Sequence, residues 1–219
     1  MAVIHHTTLK PTKLELLASW LPSRPWYRGG PAGPRLAKAG GFRLDDPRGA
    51  VGIEFMVVTD VSGSRPVAYL VPLTYRGAPL EGAEHALVGT MEHGVLGRRW
   101  AYDGCHDAVA VAQLAALIEG RVRAQDQNIS DAPAREVVVS CAGEGSLPPD
   151  LTVADDQDGT ALTAPLGATL RLHRVLRPSP DGPSASPGEA IGHVTGSWQL
   201  PDGTRVRGAF AVLHRSGRA

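Results

Sequence analysis

The sequence predicts an α+β protein in which antiparallel β-sheet dominates, and three observations lead there. Short runs rich in Val, Ile, Phe and Tyr recur along the chain and are separated by turn residues. Only two stretches carry helical spacing. Gly (26) and Pro (18) make up about a fifth of the 219 residues, which favours short elements joined by many turns.

The elements follow in order. Thr12 to Leu21 places Leu14, Leu17 and Leu21 on one face, with Leu16 and Trp20 beside them, and Pro22 stops the pattern, so a short amphipathic helix is expected. Val51–Asp60 and Val67–Tyr75 flank Ser62-Gly63-Ser64-Arg65-Pro66 and read as an antiparallel hairpin, with Pro72 directing the second strand to an edge or a bulge. Asp107 to Ile118 is the second helix: Asp107 is a good N-cap, Val109, Val111, Ala112, Leu114, Ala115 and Ile118 form a broad apolar face, and Gly120 ends it. From 121 to 135 the composition turns polar with alternating charge, as in a connector. Strands are then expected at Glu136–Cys141, Leu151–Ala154, Ala168–Leu176, Gly192–Gln199 and Thr204–His214. The last two are joined through Leu200-Pro201-Asp202-Gly203, a strong hairpin signal. Pro178 to Gly188 is nearly all Pro, Ser and Gly, which predicts a mobile loop.

Composition narrows the function classes. Lys+Arg and Asp+Glu are equal at 22 each, so no global basic field exists to gather nucleic acid or anionic lipid. No apolar run approaches the roughly 20 residues of a spanning helix, and no apolar leader opens the chain. Two distant cysteines, Cys105 and Cys141, suit reduced thiols in a cytoplasm, with a disulfide between them left open.

Motif chemistry is sparse. His93, Asp103, His106 and Asp107 are the best local set for a metal, but nothing like Cys-x-x-Cys or His-Glu-x-x-His supports one, and Asp103 and Asp107 read better as turn and cap residues ahead of the helix. His5-His6 reads as a solvated start, and His173 and His214 as half-buried strand residues. There is no Gly-x-Ser-x-Gly, and Asp45-Asp46, Asp155-Asp156 and Asp158 sit in turn contexts that predict solvated carboxylates. No catalytic residue and no metal ligand is assigned. The aromatic block Trp20-Leu21-Pro22-Ser23-Arg24-Pro25-Trp26-Tyr27-Arg28 concentrates rings in a chain only 5% aromatic. Its Arg24, Trp26, Tyr27 and Arg28 are candidates for a ligand or partner surface, and core packing is the competing reading for Trp26 and Tyr27.

Read in order, blocks of the first 120 residues resemble the N-terminal cap domain of actinobacterial maltokinases. Trp20-Leu21-Pro22 with Trp26-Tyr27 is similar to that family's aromatic signature, and Gly52 to Tyr75 to its paired strands. Val88-Gly89-Thr90, then Trp100-Ala101-Tyr102-Asp103-Gly104, then Asp107 and its helix resemble later blocks of the cap. The resemblance implies a curved, cystatin-like antiparallel sheet packed with helices over 1–120. A linker over 121–135 and a mostly antiparallel region over 136–219, similar to an eroded kinase N-lobe, would follow. Within that region Gly143-Glu144-Gly145-Ser146 resembles a phosphate-covering turn, though a plain hairpin turn fits it too. Arg171 stands where the family carries a nucleotide-contacting lysine. The final hairpin with Trp198 resembles the strands leading to a kinase hinge.

No His-x-Asp loop and no Asp-Phe-Gly occurs in these residues, which stop near where a catalytic lobe would begin, so no phosphoryl transfer is expected of them alone. The resemblance therefore implies a cytoplasmic pseudoenzyme without cofactor. It would bind or regulate a protein partner in maltose, trehalose or α-glucan metabolism, away from nucleic acid and membrane. Two alternatives stand beside it. One is a nucleotide-binding half of a sugar kinase, holding ATP and Mg through Arg171, Gly143, Gly145 and Ser146 and completed by another chain. The other is a purely structural interaction module.

Overall fold

The computed structural model describes residues 8–129, 132–141, 150–165, 167–179 and 190–215. His5-His6, Gly143, Gly145, Ser146 and most of the Pro178–Gly188 segment lie outside the described residues.

A two-residue strand β1 (Leu9–Lys10) precedes helix α1 (Lys13–Trp20). Local chemistry sets where α1 starts: the Thr12 hydroxyl accepts from Glu15 N at 3.3 Å while Glu15 returns a carboxylate oxygen to Thr12 N at 2.7 Å, a reciprocal cap. Then come β2 (Leu36–Asp45), β3 (Gly52–Asp60), β4 (Val67–Arg76), β5 (Leu87–His93), β6 (Gly97–Asp103) and α2 (Ala108–Ile118). Helix α2 is capped by Asp107, whose carboxylate accepts from Val109 N at 3.0 Å, and it ends before Gly120, which takes the left-handed φ of +72°. Seven more strands follow among the described residues: β7 (Val138–Cys141), β8 (Thr152–Asp155), β9 (Gly159–Thr163), β10 (Ala168–His173), β11 (Val175–Leu176), β12 (Ala190–Gln199) and β13 (Arg205–Arg215). Among the described residues no helix is long and apolar enough to cross a membrane.

All pairings are antiparallel and form one sheet in the order β1-β5-β6-β4-β3-β2-β12-β13-β10-β9-β8, with β11 beside β4 and β7 beside β12. Two pairings join the strands before α2 to those after it: Trp198 of β12 lies opposite Gly40 of β2, and Val175 and Leu176 of β11 lie opposite Tyr69 and Ala68 of β4. A side chain at Gly40 would put its Cβ 3.1 Å from the Ser197 carbonyl oxygen, so glycine permits that approach. Strands on either side of the 121–135 stretch thus belong to one sheet. The polar stretch 121–135 lies along β2: Arg43 and Gln125 exchange backbone hydrogen bonds at 2.9 Å, and Ala124 is buried.

Strand β3 carries apolar residues on both faces, interrupted by Glu54, because both faces are covered. Ile53, Phe55 and Val57 point into a core with Phe42, Leu44, Leu114 and Ile118, and Met56 and Val58 into a second core with Leu17, Trp20 and Trp26. The β3–β4 hairpin matches expectation, but the placement of Pro72 does not. Strand β4 is flanked on both sides. Pro72 is tolerated because Leu70 donates to Arg174 O at 3.0 Å, so the nitrogen two residues on faces that same side. There it falls in the gap between β11, which pairs as far as Tyr69, and β6, which begins at Leu73. The single strand expected at Ala168–Leu176 also divides: β10 pairs with β13 and β9, whereas β11 crosses to β4, and the break falls at Arg174. The expectation of solvated turn carboxylates fails at Asp46, which is buried and accepts from Arg48, Ala50 and Val51 N at 2.9–3.0 Å. Cys105 and Cys141 are both thiols, the first buried and the second exposed.

Candidate functional site

The aromatic block is built from the end of α1. A 3-10 turn at Leu21–Ser23, with Pro22 in its first turn, folds the chain back so that Trp26 meets Trp20 edge-on, ring centroids 5.8 Å apart. Trp26 is fully buried and also packs on Tyr69 at 5.8 Å, so it serves the core. Tyr27 lies 5.9 Å from the Tyr69 ring, and its hydroxyl donates to Asp60 Oδ2 at 2.9 Å. Burial and that carboxylate together raise the Tyr27 hydroxyl pKa. The Tyr69 hydroxyl, pushed up to about 12 mainly by burial, accepts from Arg28 N at 2.8 Å. Arg24 covers the Trp20 ring at 4.8 Å. Of the four candidates, only the arginines present their charged ends outward.

The turn after β8 receives one of them. Arg28 Nη2 pairs with Asp158 and donates to Gln157 O at 3.2 Å, and Arg177 Nη2 reaches the same Asp158 oxygen at 3.0 Å. Two residues earlier, Asp156 receives both terminal nitrogens of Arg171, Nη2 to Oδ1 at 2.6 Å and Nη1 to Oδ2. This fork, more than the backbone amides of Asp158 and Gly159, holds the Asp156 carboxyl well below the usual carboxylate range and raises Arg171. His173 stands on the same strand, its pKa lowered first by burial and then by Arg171. Three guanidiniums therefore surround two carboxylates on one turn. Arg28 and Arg171, candidates for separate reasons, come together there, 143 positions apart in sequence.

Beneath the turn, Arg174 runs inward. Its guanidinium, 0% exposed, donates from Nη2 to both Asp103 oxygens at 2.6 and 2.8 Å and from Nε to Thr160 Oγ1 at 2.7 Å, and it lies 5.1 Å from the Trp26 ring. Arg174 was not among the candidates read from the sequence, and Asp158 was expected there only as a solvated turn carboxylate. The signal for Arg174 was present: Leu170 and Leu172 face the core, so strict alternation puts residue 174 on that face.

The histidine and aspartate set disperses. Asp103 belongs to Arg174, Asp107 holds Arg76 through two hydrogen bonds of 2.7 Å, and His93 Nδ1 accepts from Val95 and Leu96 N. Among the described residues no group of three or more His, Cys, Asp or Glu side chains is arranged to hold a metal ion.

The segment that contains the aromatic block, the two-faced hairpin and the helix cap is the one that known proteins share. Residues 20–107 match the maltokinase N-terminal cap domain. The match runs from Trp20 to the α2 cap Asp107 and supports a maltokinase N-terminal cap-like domain over that span, which is less than half of the chain. No curated protein matches the chain significantly. The cap-like segment supplies Arg28 and Asp103, and the strands beyond it supply Arg171, Arg174 and Arg177.

Proposed function

We propose that the chain is a non-catalytic cap-like protein that acts by binding or regulation in the maltose, trehalose and α-glucan metabolism in which maltokinases work. The similarity of residues 20–107 to the maltokinase N-terminal cap domain carries this reading. The Arg171–Asp156 fork supports its non-catalytic half. A nucleotide phosphate would need the guanidinium edge that Asp156 already holds, and would have to displace that carboxylate. The exposed edges of Arg28 and Arg177 offer planar donors suited to an acidic group on a protein partner. Two unbridged thiols suit a reducing cytoplasm.

Calorimetric titration of the purified chain with Mg-ATP, then with maltose and short α-glucans, tests the proposal. Heat from a saccharide with silence toward Mg-ATP supports it, and silence toward all of them confines its ligand to a protein. Mg-ATP binding that weakens at least tenfold in Arg171→Ala overturns it in favour of a nucleotide-binding half of a sugar kinase.

A further inference from the structure

The antiparallel β5–β6 pairing sets Leu87 opposite Tyr102. The 3-10 turn that enters β5 (Glu84–Ala86) therefore lies beside the one that leaves β6 (Gly104–His106), and each turn carries a histidine. His85 Nε2 and His106 Nδ1 are 3.2 Å apart, with ring planes at 88°. Both turns are anchored from below. Ala86 and Cys105 are buried, and Asp103, pinned by Arg174, accepts from Cys105 N at 3.1 Å. His85 is exposed, so the outer side of the pair is open to water.

Two imidazole nitrogens each about 2.0–2.1 Å from one ion are about 3.4 Å apart at a tetrahedral angle and about 2.9 Å apart at a square-planar one. The observed separation falls between these values. Neutral imidazole donors favour zinc, nickel or copper over the hard, oxygen-seeking magnesium and calcium. We propose that His85 and His106 form a two-histidine site for a divalent transition-metal ion, with water completing the coordination shell. Two changes are required: the donor ring gives up its shared N–H and takes a proton from water on its opposite nitrogen, and the rings rotate so that both freed lone pairs converge on the metal. The site does not depend on the α-glucan reading.

The test is thermal unfolding of the full chain with and without Zn2+ or Ni2+, together with metal titration. A ligand that binds the folded state raises the midpoint, here by a few degrees at saturating metal. His85→Ala and His106→Ala should each abolish the rise and weaken metal affinity at least tenfold, because even outer-shell losses cost about 10- to 100-fold. His93→Ala and the double variant His5→Ala/His6→Ala should keep it. Exposed His85 makes His85→Ala the decisive variant, with an unchanged far-UV spectrum as its folding control. The proposal is overturned by the absence of any metal-dependent shift. It is equally overturned by a shift that survives His85→Ala, or by one lost only when His5 and His6 are replaced.

Discussion

Asp103→Asn keeps the shape of the side chain and removes one charge from the buried Asp103–Arg174 pair. The guanidinium is 0% exposed and its partner side chain 3%, so water cannot take over the lost charge. Removing one partner of a buried pair costs about 3–5 kcal/mol, because the other charge is left uncompensated. The low end applies, since the amide oxygen still accepts one Arg174 N–H and Thr160 Oγ1 still accepts from Nε. For a chain of this size about 3 kcal/mol lowers the midpoint by about 6–12 °C. Arg174→Met should cost at least as much, as it strands the carboxylate. The double variant Asp103→Asn/Arg174→Met should be much less harmful than the two losses added, because an amide still caps Cys105 N and the thioether can lie on Trp26. Urea unfolding of the four proteins at unchanged m-value gives the cycle. Asp103→Asn costing under about 1 kcal/mol, or strictly additive single losses, would refute the claim that these two charges depend on each other.

Three further outcomes are expected. Glu54 is buried and accepts from Lys13, Tyr75 and Gln127; burial pushes its pKa up, but Lys13 and the hydrogen bonds outweigh this and hold it below 4.5. Its contribution is thus complete above about pH 4.5 and lost as pH falls through the lower folded value. Glu54→Gln should therefore cost about 2 kcal/mol at pH 7 and progressively less toward pH 3 in urea titrations, and a gap constant with pH would contradict this. Asp107→Ala removes the α2 cap and the partner of Arg76, for about 3 kcal/mol, and Asp107→Ser, which keeps a cap, should recover about 1 kcal/mol by thermal melts. An aromatic disulfide reagent should modify exposed Cys141 quickly and buried Cys105, whose thiol pKa burial raises, only on unfolding; two equal fast phases would count against a sealed site.

The elements legible in the sequence are those whose signals are local. Thr12 with Glu15, Asp107 with Gly120, and Asp202-Gly203 each fix an element end by a few neighbouring residues. Strand β2 begins Leu-Ala-Lys-Ala-Gly-Gly and β9 reads Gly-Thr-Ala-Leu-Thr, compositions with little strand preference, and they are strands because β3 and β10 pair with them. The candidate site divides along the same line. Arg28 and Arg171 drew notice as charges in unusual company. Their meeting around Asp156 and Asp158 depends on contacts across most of the chain, and the burial of Arg174 depends on Asp103, 71 positions away. Sequence spacing carries no record of such distances.

Arg174 also bears on how this protein can be cut. The boundary where likeness to other proteins stops, at Asp107, passes between an acid and the base that neutralises it. A fragment trimmed to 20–107 would keep Asp103 without its counter-ion. It would also uncover Phe42, Leu44 and Phe55, which α2, β12 and β13 help to cover. The matched segment and the core it helps to build have different borders, and a graft of residues 20–107 into another protein would have to bring a replacement for Arg174 with it.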